Sequence, residues 1–473
     1  PGEVRDLGEE MRVRTLVEPY FNEYGLGQTI FILSHNEDML YQLISSGLQR
    51  LSEYMSIYTT EDFRGMKVVS SPSVSVGVAL KSDLLELQIH SDEMSREELA
   101  YLLTRYDRKK KYVRLKNGDF LDVREDGLGL LAEISEDLRL TESGLKKGHV
   151  NVPKYRAMYL DAALKSNQEL SVEKNREFKG MVRNMKTIED SDYEVPDSLR
   201  SIMRGYQKSG FLWLKTLREN GFGGILADDM GLGKTLQVIS LLLSEQESAK
   251  AGEREWHRSL IVCPASLVYN WGQEFARFSP EIRVLLIAGT AKERQEQLEE
   301  QMRMEASEGA QVIITSYDLL KRDRAAYLGR TFEYEIIDEA QVIKNAKTQG
   351  AKAVKEISAN ARFALTGTPV ENRLSELWSI FDFLMPGFLY SYRKFRERYE
   401  LPIVKNQDPE ALTALRRMTG PFVLRRLKKD VLRELPGKEE RIVYSAASGR
   451  QQKLYTASAL KLKEALAGGA WSG

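Results

Sequence analysis

Between Ser73 and Ile89 the chain alternates with a period of two. Val74, Val76, Val78 and Leu80 stand between Ser73, Ser75, Gly77 and Ala79, and after Lys81-Ser82-Asp83 the rhythm resumes with Leu85, Leu87 and Ile89. That period puts one face of a strand in a core and the other toward water, so the segment predicts a hairpin. Ser95 and Glu98 form a capping box ahead of Leu99, Leu102 and Leu103, which predicts a short helix. Asn117-Gly118, set between Tyr112-Val113-Arg114-Leu115 and Phe120-Leu121-Asp122-Val123, is a second hairpin signal. Residues 1–190 therefore read as an α+β module. The polar stretch 165–200 reads as a helix and linker. From Leu260 onward the pattern changes. Leu260-Ile261-Val262, Val284-Leu285-Leu286-Ile287, Val312-Ile313-Ile314 and Ile336-Ile337 are short apolar runs separated by helical patterns, among them the charged segment 291–308. Buried parallel strands alternating with helices predict an α/β domain, a parallel sheet with helices on both faces.

Composition narrows the function classes. The 473 residues include 69 Lys and Arg and 69 Asp and Glu, a formal net charge of zero, so a globally basic nucleic-acid coat protein is excluded and phosphate binding needs a local patch. At about 150 residues per domain, the length suggests roughly three domains. The single cysteine, Cys263, leaves no disulfide within the chain and points to a reduced, intracellular setting, and the four histidines are too scattered for a zinc site. No run approaches the ~18 apolar residues of a membrane span. The sequence opens on Pro-Gly-Glu-Val and closes on Ala-Trp-Ser-Gly, which leads us to expect a fragment.

The chemistry concentrates in Gly223-Gly224-Ile225-Leu226-Ala227-Asp228-Asp229-Met230-Gly231-Leu232-Gly233-Lys234-Thr235, followed by Leu236 and an apolar helical run. A short strand enters a glycine-rich turn and a helix leaves it. Gly231 and Gly233 let backbone N–H groups approach a phosphate, and the helix N-terminus adds partial positive charge there. In this arrangement Lys234 reaches the β- and γ-phosphates and the Thr235 hydroxyl holds Mg²⁺. The strict pattern G-x-x-x-x-G-K-[ST] fails at one position, where Asp228 replaces the first Gly. About a hundred residues later Glu335-Ile336-Ile337 runs into Asp338-Glu339-Ala340-Gln341. Two adjacent carboxylates at a strand end suit phosphoryl transfer: Asp338 to hold Mg²⁺, Glu339 to orient and deprotonate the attacking water. On their own such pairs are usually solvated; a phosphate loop upstream changes the reading.

Ala227–Thr235, Asp338–Gln341 and Leu365-Thr366-Gly367-Thr368-Pro369-Val370-Glu371-Asn372 together resemble the helicase motifs of Swi/Snf-type DNA translocases, within the superfamily 2 helicases. Further segments match in order: Arg204-Gly205-Tyr206-Gln207, Val262–Trp271, Thr315–Asp318, Leu374–Leu384 and Phe422–Arg426. The resemblance covers about residues 195–445, and the family accepts an acidic residue at the position of Asp228. It implies a RecA-like ATP-binding lobe over 191–435, with a helical protrusion at about 385–435, and the start of a second lobe over 436–473. The implied ligands are ATP and Mg²⁺. Asp229, Met230, Gly231, Leu232, Gly233, Lys234, Thr235 and Leu236 would cradle the nucleotide, Gln207 would contact adenine, and Thr235 and Asp338 would hold the metal. Lys234, Asp338 and Glu339 would carry catalysis, and Thr366, Gly367 and Thr368 would couple nucleotide state to DNA grip. The activity implied is ATP hydrolysis coupled to movement along the phosphate backbone of duplex DNA, without strand separation.

Residues 1–190 more loosely resemble the helicase-associated module of bacterial members, which suggests a bacterial, cytoplasmic, nucleoid-associated protein and offers a surface for a protein partner. No second-lobe arginine-finger motif, Q-x-x-x-R-x-x-R-x-G-Q, occurs, so the fragment is expected to bind ATP and hydrolyse it poorly. The pattern leaves two rivals: a nucleotide-gated regulatory module that works without Glu339, and an RNA helicase of the same superfamily. Two cationic clusters are candidates for phosphate contact. One comprises Arg416, Arg417, Arg425, Arg426, Lys428, Lys429 and Arg433, suited to backbone contact or to bracing the lobes; the other comprises Arg105, Arg108, Lys109, Lys110, Lys111, Arg114 and Lys116. Trp271, Tyr317 and Cys263 sit in apolar patterns and read as core.

Overall fold

A computed structural model describes residues 7–467 except 26–29, 71, 106–111, 116, 123–126, 166–169, 189–190, 192, 253–254, 256, 305–307, 368–372 and 432–447. It divides into two compact units, Pro1–Arg426 and Leu427–Gly473. The described part of the second unit holds two helices, Lys428–Val431, with Val431 half-buried, and the longer Gly449–Ala467, whose described side chains are exposed. The region expected to begin a second lobe, Pro436–Tyr444, lies outside the described residues.

Besides a short antiparallel ribbon of Glu23–Tyr24 with Phe31–Ile32, the module of the first unit is built on two small sheets. β1 (Val68–Val69) pairs with β5 (Phe120–Asp122), which pairs in turn with β4 (Tyr112–Arg114) through the Asn117-Gly118 turn; Gly118 takes a φ of 96°, open to glycine. The second sheet centres on the expected hairpin: β2 (Ser75–Lys81) runs antiparallel to β3 (Leu84–His90), with Val76 opposite Ile89 and Val78 opposite Leu87, all buried. β6 (Val150–Pro153) flanks β3 and β7 (Ser171–Lys174) flanks β2. The capping box is present: Ser95 N–H donates to Glu98 Oε2 (3.1 Å) and Glu98 N–H to Ser95 Oγ (3.3 Å), at the start of α1 (Arg96–Arg105). α2 (Gly127–Leu138) and α3 (Ala157–Lys165) complete the layer.

The polar stretch after residue 165 holds the expected helix, but it is more than a linker. β7 pairs in parallel with the hairpin, and α4 (Arg176–Lys186) buries Phe178, Met181, Val182 and Met185. Those four positions follow i, i+3, i+4, i+7, so a narrow apolar stripe anchors a helix whose average composition is charged.

α5 (Gly205–Glu219) leads into the larger part. Its strands are β8 (Gly224–Leu226), β9 (Ser259–Cys263), β10 (Val284–Leu286), β11 (Val312–Ser316), β12 (Thr331–Ile337), β13 (Ser358–Leu365) and β14 (Val423–Leu424). They form one sheet in the order β10-β11-β9-β12-β13-β8-β14, every neighbouring pair parallel. α6 (Lys234–Lys250), α7 (Val268–Phe278), α8 (Ala291–Arg303) and α9 (Leu374–Leu384) are the main helices between them. This is the α/β architecture expected from the alternation, and the RecA-like lobe that the resemblance implied. Between α9 and β14 the chain forms short helices and α10 (Pro409–Thr419), and then returns to the sheet as its edge strand, so Val423 and Leu424 belong to the sheet and not to the helical excursion.

The module grips that excursion. The Arg398 guanidinium pairs with Asp137, Arg398 Nη1 donates to Glu136 O (3.0 Å), and the Tyr390 hydroxyl donates to Asp137 O. Arg156, buried, lies over the rings of Tyr155, Phe388 and Tyr390 and donates to Met418 Sδ (3.0 Å). A desolvated cation against several aromatic faces is a strong local tie. Among the described residues no helix is long and apolar enough to cross a membrane.

Candidate active site at the carboxyl edge of the sheet

Parallel strands deliver their following loops to one edge, and three of them meet there. After β8, Gly231 and Gly233 adopt φ values of 82° and 75°, which only glycine takes without strain, and Gly233 caps α6. A Cβ at Gly233 would lie 2.4 Å from Gln207 Nε2, so the second glycine is fixed by space as well as by backbone angle. Gln207 sits on the first turn of α5: its Nε2 donates to Leu232 O (3.1 Å) and its Oε1 accepts from Arg204 N–H (2.9 Å). An amide of this kind keeps a second N–H and a second lone pair for a ligand.

Lys234 and Thr235 open α6, Leu236 is buried behind them, and Leu232 is fully buried under the loop. Lys234 Nζ donates to Asp228 O (2.7 Å). Burial pulls its ammonium below the ordinary value, against the attraction of Asp338, Glu339, Asp228 and Asp229. Those carboxylates are therefore near enough to be felt, and the structure brings the phosphate loop and the acidic pair together. Met230 is exposed at the loop tip, and a Cβ on Gly367 would meet its Cγ at 3.3 Å. Thr366 N–H donates to Leu226 O (3.1 Å). Thr368 lies outside the described residues.

Asp338 ends β12. Its Oδ2 accepts from Trp271 Nε1 (2.9 Å), its Oδ1 from Glu339 N–H (2.8 Å), and its own carbonyl from the Tyr317 hydroxyl (2.7 Å). Burial pushes the Asp338 carboxyl above its ordinary value, with these N–H donors and Lys234 acting the other way. Trp271 and Tyr317 are buried, as their apolar context suggests, yet each also holds the aspartate. Nothing in a single sequence marks an indole or a phenol for that task. Cys263, at the end of β9, is buried and its thiol is pushed up to about 12 by burial, an unreactive state.

Glu339 has a φ of 50°, the left-handed region that a non-glycine residue adopts at a cost of about 1–3 kcal/mol. The conformation is held by a relay: Gln341 Nε2 donates to Glu339 Oε2 (2.6 Å), and Thr366 Oγ1 donates to Gln341 Oε1 (3.0 Å). In the sequence Gln341 carries no signal beyond its place at the end of the acidic segment; only the fold shows it between Glu339 and Thr366. The relay joins the loop after β12 to the loop after β13.

The donor set fits Mg²⁺ and a nucleotide triphosphate. Asp338 is a buried carboxylate that accepts from the neutral N–H groups of Trp271 and Glu339, an arrangement that favours a hard cation, and Thr235 supplies a hydroxyl at the helix start. The cationic clusters fare differently. Arg426 is turned inward onto Asp228, its side chain only 14% exposed, and is not available for DNA. Arg433, Arg108, Lys109, Lys110, Lys111 and Lys116 lie outside the described residues; Arg114 pairs with Glu37 (3.3 Å), and Arg105 covers the Tyr101 ring.

A glycine-rich loop feeding a helix, with two carboxylates brought to its lysine at the edge of a parallel sheet, defines a P-loop nucleotide-binding lobe of RecA type. Comparison with known proteins places that lobe. The SNF2-related domain matches residues 206–470 and the bacterial SNF2 helicase-associated family matches residues 3–196; the chain belongs to the SNF2-related family. Among curated relatives, the uncharacterized ATP-dependent helicase MG018 of Mycoplasma genitalium is 43% identical over 54% of this chain and 23% of its own length. The putative ATP-dependent helicase/translocase YwqA of Bacillus subtilis is 38% identical over 59% of this chain and 30% of its own. A solved SWI2/SNF2 ATPase core from Sulfolobus solfataricus in complex with dsDNA is 37% identical, with a TM-score of 0.44 over 60% of this chain and 56% of that one. The chain spans 16%, 23% and 35% of three curated relatives, a minority of each.

Proposed function

We propose that this chain is the ATP-binding part of a DNA-dependent ATPase that moves along duplex DNA without separating its strands. The observation that carries the reading is the meeting of Lys234, Asp338 and Glu339 at one sheet edge, with Glu339 tied through Gln341 to Thr366. Lys234 would exchange its bond to Asp228 O for the β- and γ-phosphates, and Gln207 would meet the adenine. Asp338 and Thr235 would hold Mg²⁺, which when bound neutralises charge on the transferring phosphoryl group. Glu339 would accept the proton of the attacking water, its carboxylate aimed by Gln341. Movement of Thr366 would be felt at Glu339 through two hydrogen bonds, a route by which DNA grip and hydrolysis would inform each other. The run of translocase motifs in order supports duplex DNA as the track, and a relative described as a putative ATP-dependent helicase/translocase supports ATP-driven movement.

Arginine fingers are worth about 10³–10⁵ in rate in phosphoryl transfer. The second-lobe motif that would supply them does not occur in these 473 residues, so the chain should bind ATP and hydrolyse it poorly. The test is steady-state ATP hydrolysis by this chain with and without duplex DNA, with Lys234→Ala as the blank. Near-zero turnover beside measurable ATP binding supports the proposal. DNA-stimulated turnover that disappears in Lys234→Ala would sink the claim of poor hydrolysis and show that the site is completed within this chain.

A further inference from the structure

Asp228 stands where the general phosphate-loop pattern has glycine, and its carboxylate is fully buried. A buried charge of this kind survives only when paired and hydrogen-bonded. Its partner comes from almost 200 residues away: Arg426 Nε donates to Asp228 Oδ1 (2.9 Å), Nη2 donates to Oδ2, and the Arg426 backbone N–H also donates to Oδ1 (3.2 Å). Gln237 of α6 adds Nε2 to Oδ2 (3.2 Å) and accepts Arg426 Nη2 on its Oε1 (2.7 Å). Arg426 Nη1 donates to Tyr206 O, next to Gln207.

The backbone is tied in the same place. Asp229 N–H donates to Arg426 O (3.0 Å), and Ala227 N–H to Leu424 O (2.7 Å). A Cβ on Gly210 would strike Gln237 Oε1 and Arg426 Nη2, so α5 leaves room for nothing larger beside this pair. Asp228 is thus held by its side chain through Arg426, while its carbonyl receives Lys234 Nζ. The guanidinium contacts Asp228, Gln237 and Tyr206 O; it fixes the peptide that fixes the lysine.

We propose that Arg426 is a positioning residue of the nucleotide site, setting the place of Lys234 through the Asp228 ion pair. Its effect on ATP rests on the nucleotide reading above; its effect on Lys234 does not. Arg426→Lys keeps the charge and loses the two-pronged geometry and the bond to Tyr206 O. In the 473-residue chain two quantities separate positioning from mere support: the rate at which Lys234 is acylated by a limiting amine reagent, read by mass spectrometry, and the affinity for Mg²⁺-ATP. Released from Asp228 O, Lys234 should label several-fold faster while the exposed Lys292 labels at an unchanged rate, and ATP affinity should fall about tenfold, which corresponds to ~1.4 kcal/mol. Asp228→Asn, which keeps volume and an acceptor oxygen, should move both readouts the same way and serves if Arg426→Lys does not fold. An unchanged labelling rate at Lys234, or faster labelling of Lys292 as well, overturns the proposal. Faster labelling of Lys234 in a chain whose unaltered form binds no ATP would uphold the positioning role and overturn the nucleotide reading.

Discussion

Asp228 and Asp338 are two buried aspartates at the carboxyl edge of one sheet, the first just past β8 and the second just past β12, and their surroundings are opposite. The region around Asp228 is saturated: a guanidinium on both oxygens, a glutamine amide and a backbone N–H, all within one cage. The region around Asp338 offers an indole N–H and one backbone N–H, and its carboxyl is pushed upward by burial. The first carboxylate has spent its charge on the fold. The second keeps a charge that the fold does not neutralise, and an under-compensated buried carboxylate is the kind of group that functional sites collect. Residue type and depth are alike; the donors decide the role.

The sharpest break between the two regions is kinetic. Glu339→Gln should lower DNA-stimulated turnover of the whole protein by about 10²–10⁴, the range for loss of a general base, with ATP affinity retained. Phosphate release and nucleotide binding measured side by side check it, and a comparable loss of turnover with ATP affinity intact in Asp228→Asn would erase the distinction. Next in size is stability. Removing one partner of a buried ion pair costs about 3–5 kcal/mol, so Arg426→Leu should unfold at markedly lower denaturant, whereas Asp338→Asn should be neutral or stabilising at pH 7. The sign for Asp338 follows from its raised value. The folded state holds that proton more tightly than the unfolded chain, so its contribution is present at low pH and lost as pH rises from the ordinary carboxylate range through the folded value. Replacement by Asn removes that loss, and urea melts at pH 5 and pH 8 would show it.

A third aspartate tests whether the rule extends into the module. Asp161 is buried among Lys174 (2.8 Å), Lys186 (2.5 Å) and Lys165 (3.3 Å). Burial acts to raise its carboxyl, but the hydrogen bonds of Lys174 and Lys186 outweigh it and hold the group at about 2. It therefore resembles Asp228. Its stabilisation is present above the ordinary carboxylate range and is lost as pH falls toward 2. Asp161→Asn should flatten the acid limb of the stability curve and leave ATP binding unchanged, the smallest of these effects; acid titration followed by circular dichroism would detect it.

The parts of the molecule that were legible in the sequence are those where local pattern and local structure coincide. The β2–β3 hairpin, the Ser95–Glu98 cap, the Asn117-Gly118 turn and the glycines of the phosphate loop each state their geometry within a few residues. Strand β12 was legible only at Ile336-Ile337, because Glu333 and Glu335 disguise a buried strand. Their charges are met from elsewhere, by Arg218 and by Arg362 (3.1 Å). β13 was hidden by the small and polar residues of Ser358–Asn360, and β7 by the polar composition of Ser171–Lys174. At the site, the loop, the lysine and the acidic pair were plain. The duties of Trp271, Tyr317, Gln341 and Arg426 were not, since each is defined by a partner distant in sequence.

The parallel register of β8 also orders events in time. The strand that launches the phosphate loop lies between β13 and β14, and Leu226 pairs with Leu424, 198 residues later (424 − 226). At about 5–20 residues per second, a ribosome takes on the order of 10–40 s to deliver that second flank. Through that interval β8 has an open side and Asp228 lacks its arginine, so the phosphate loop is among the last parts of the sheet to gain all its neighbours.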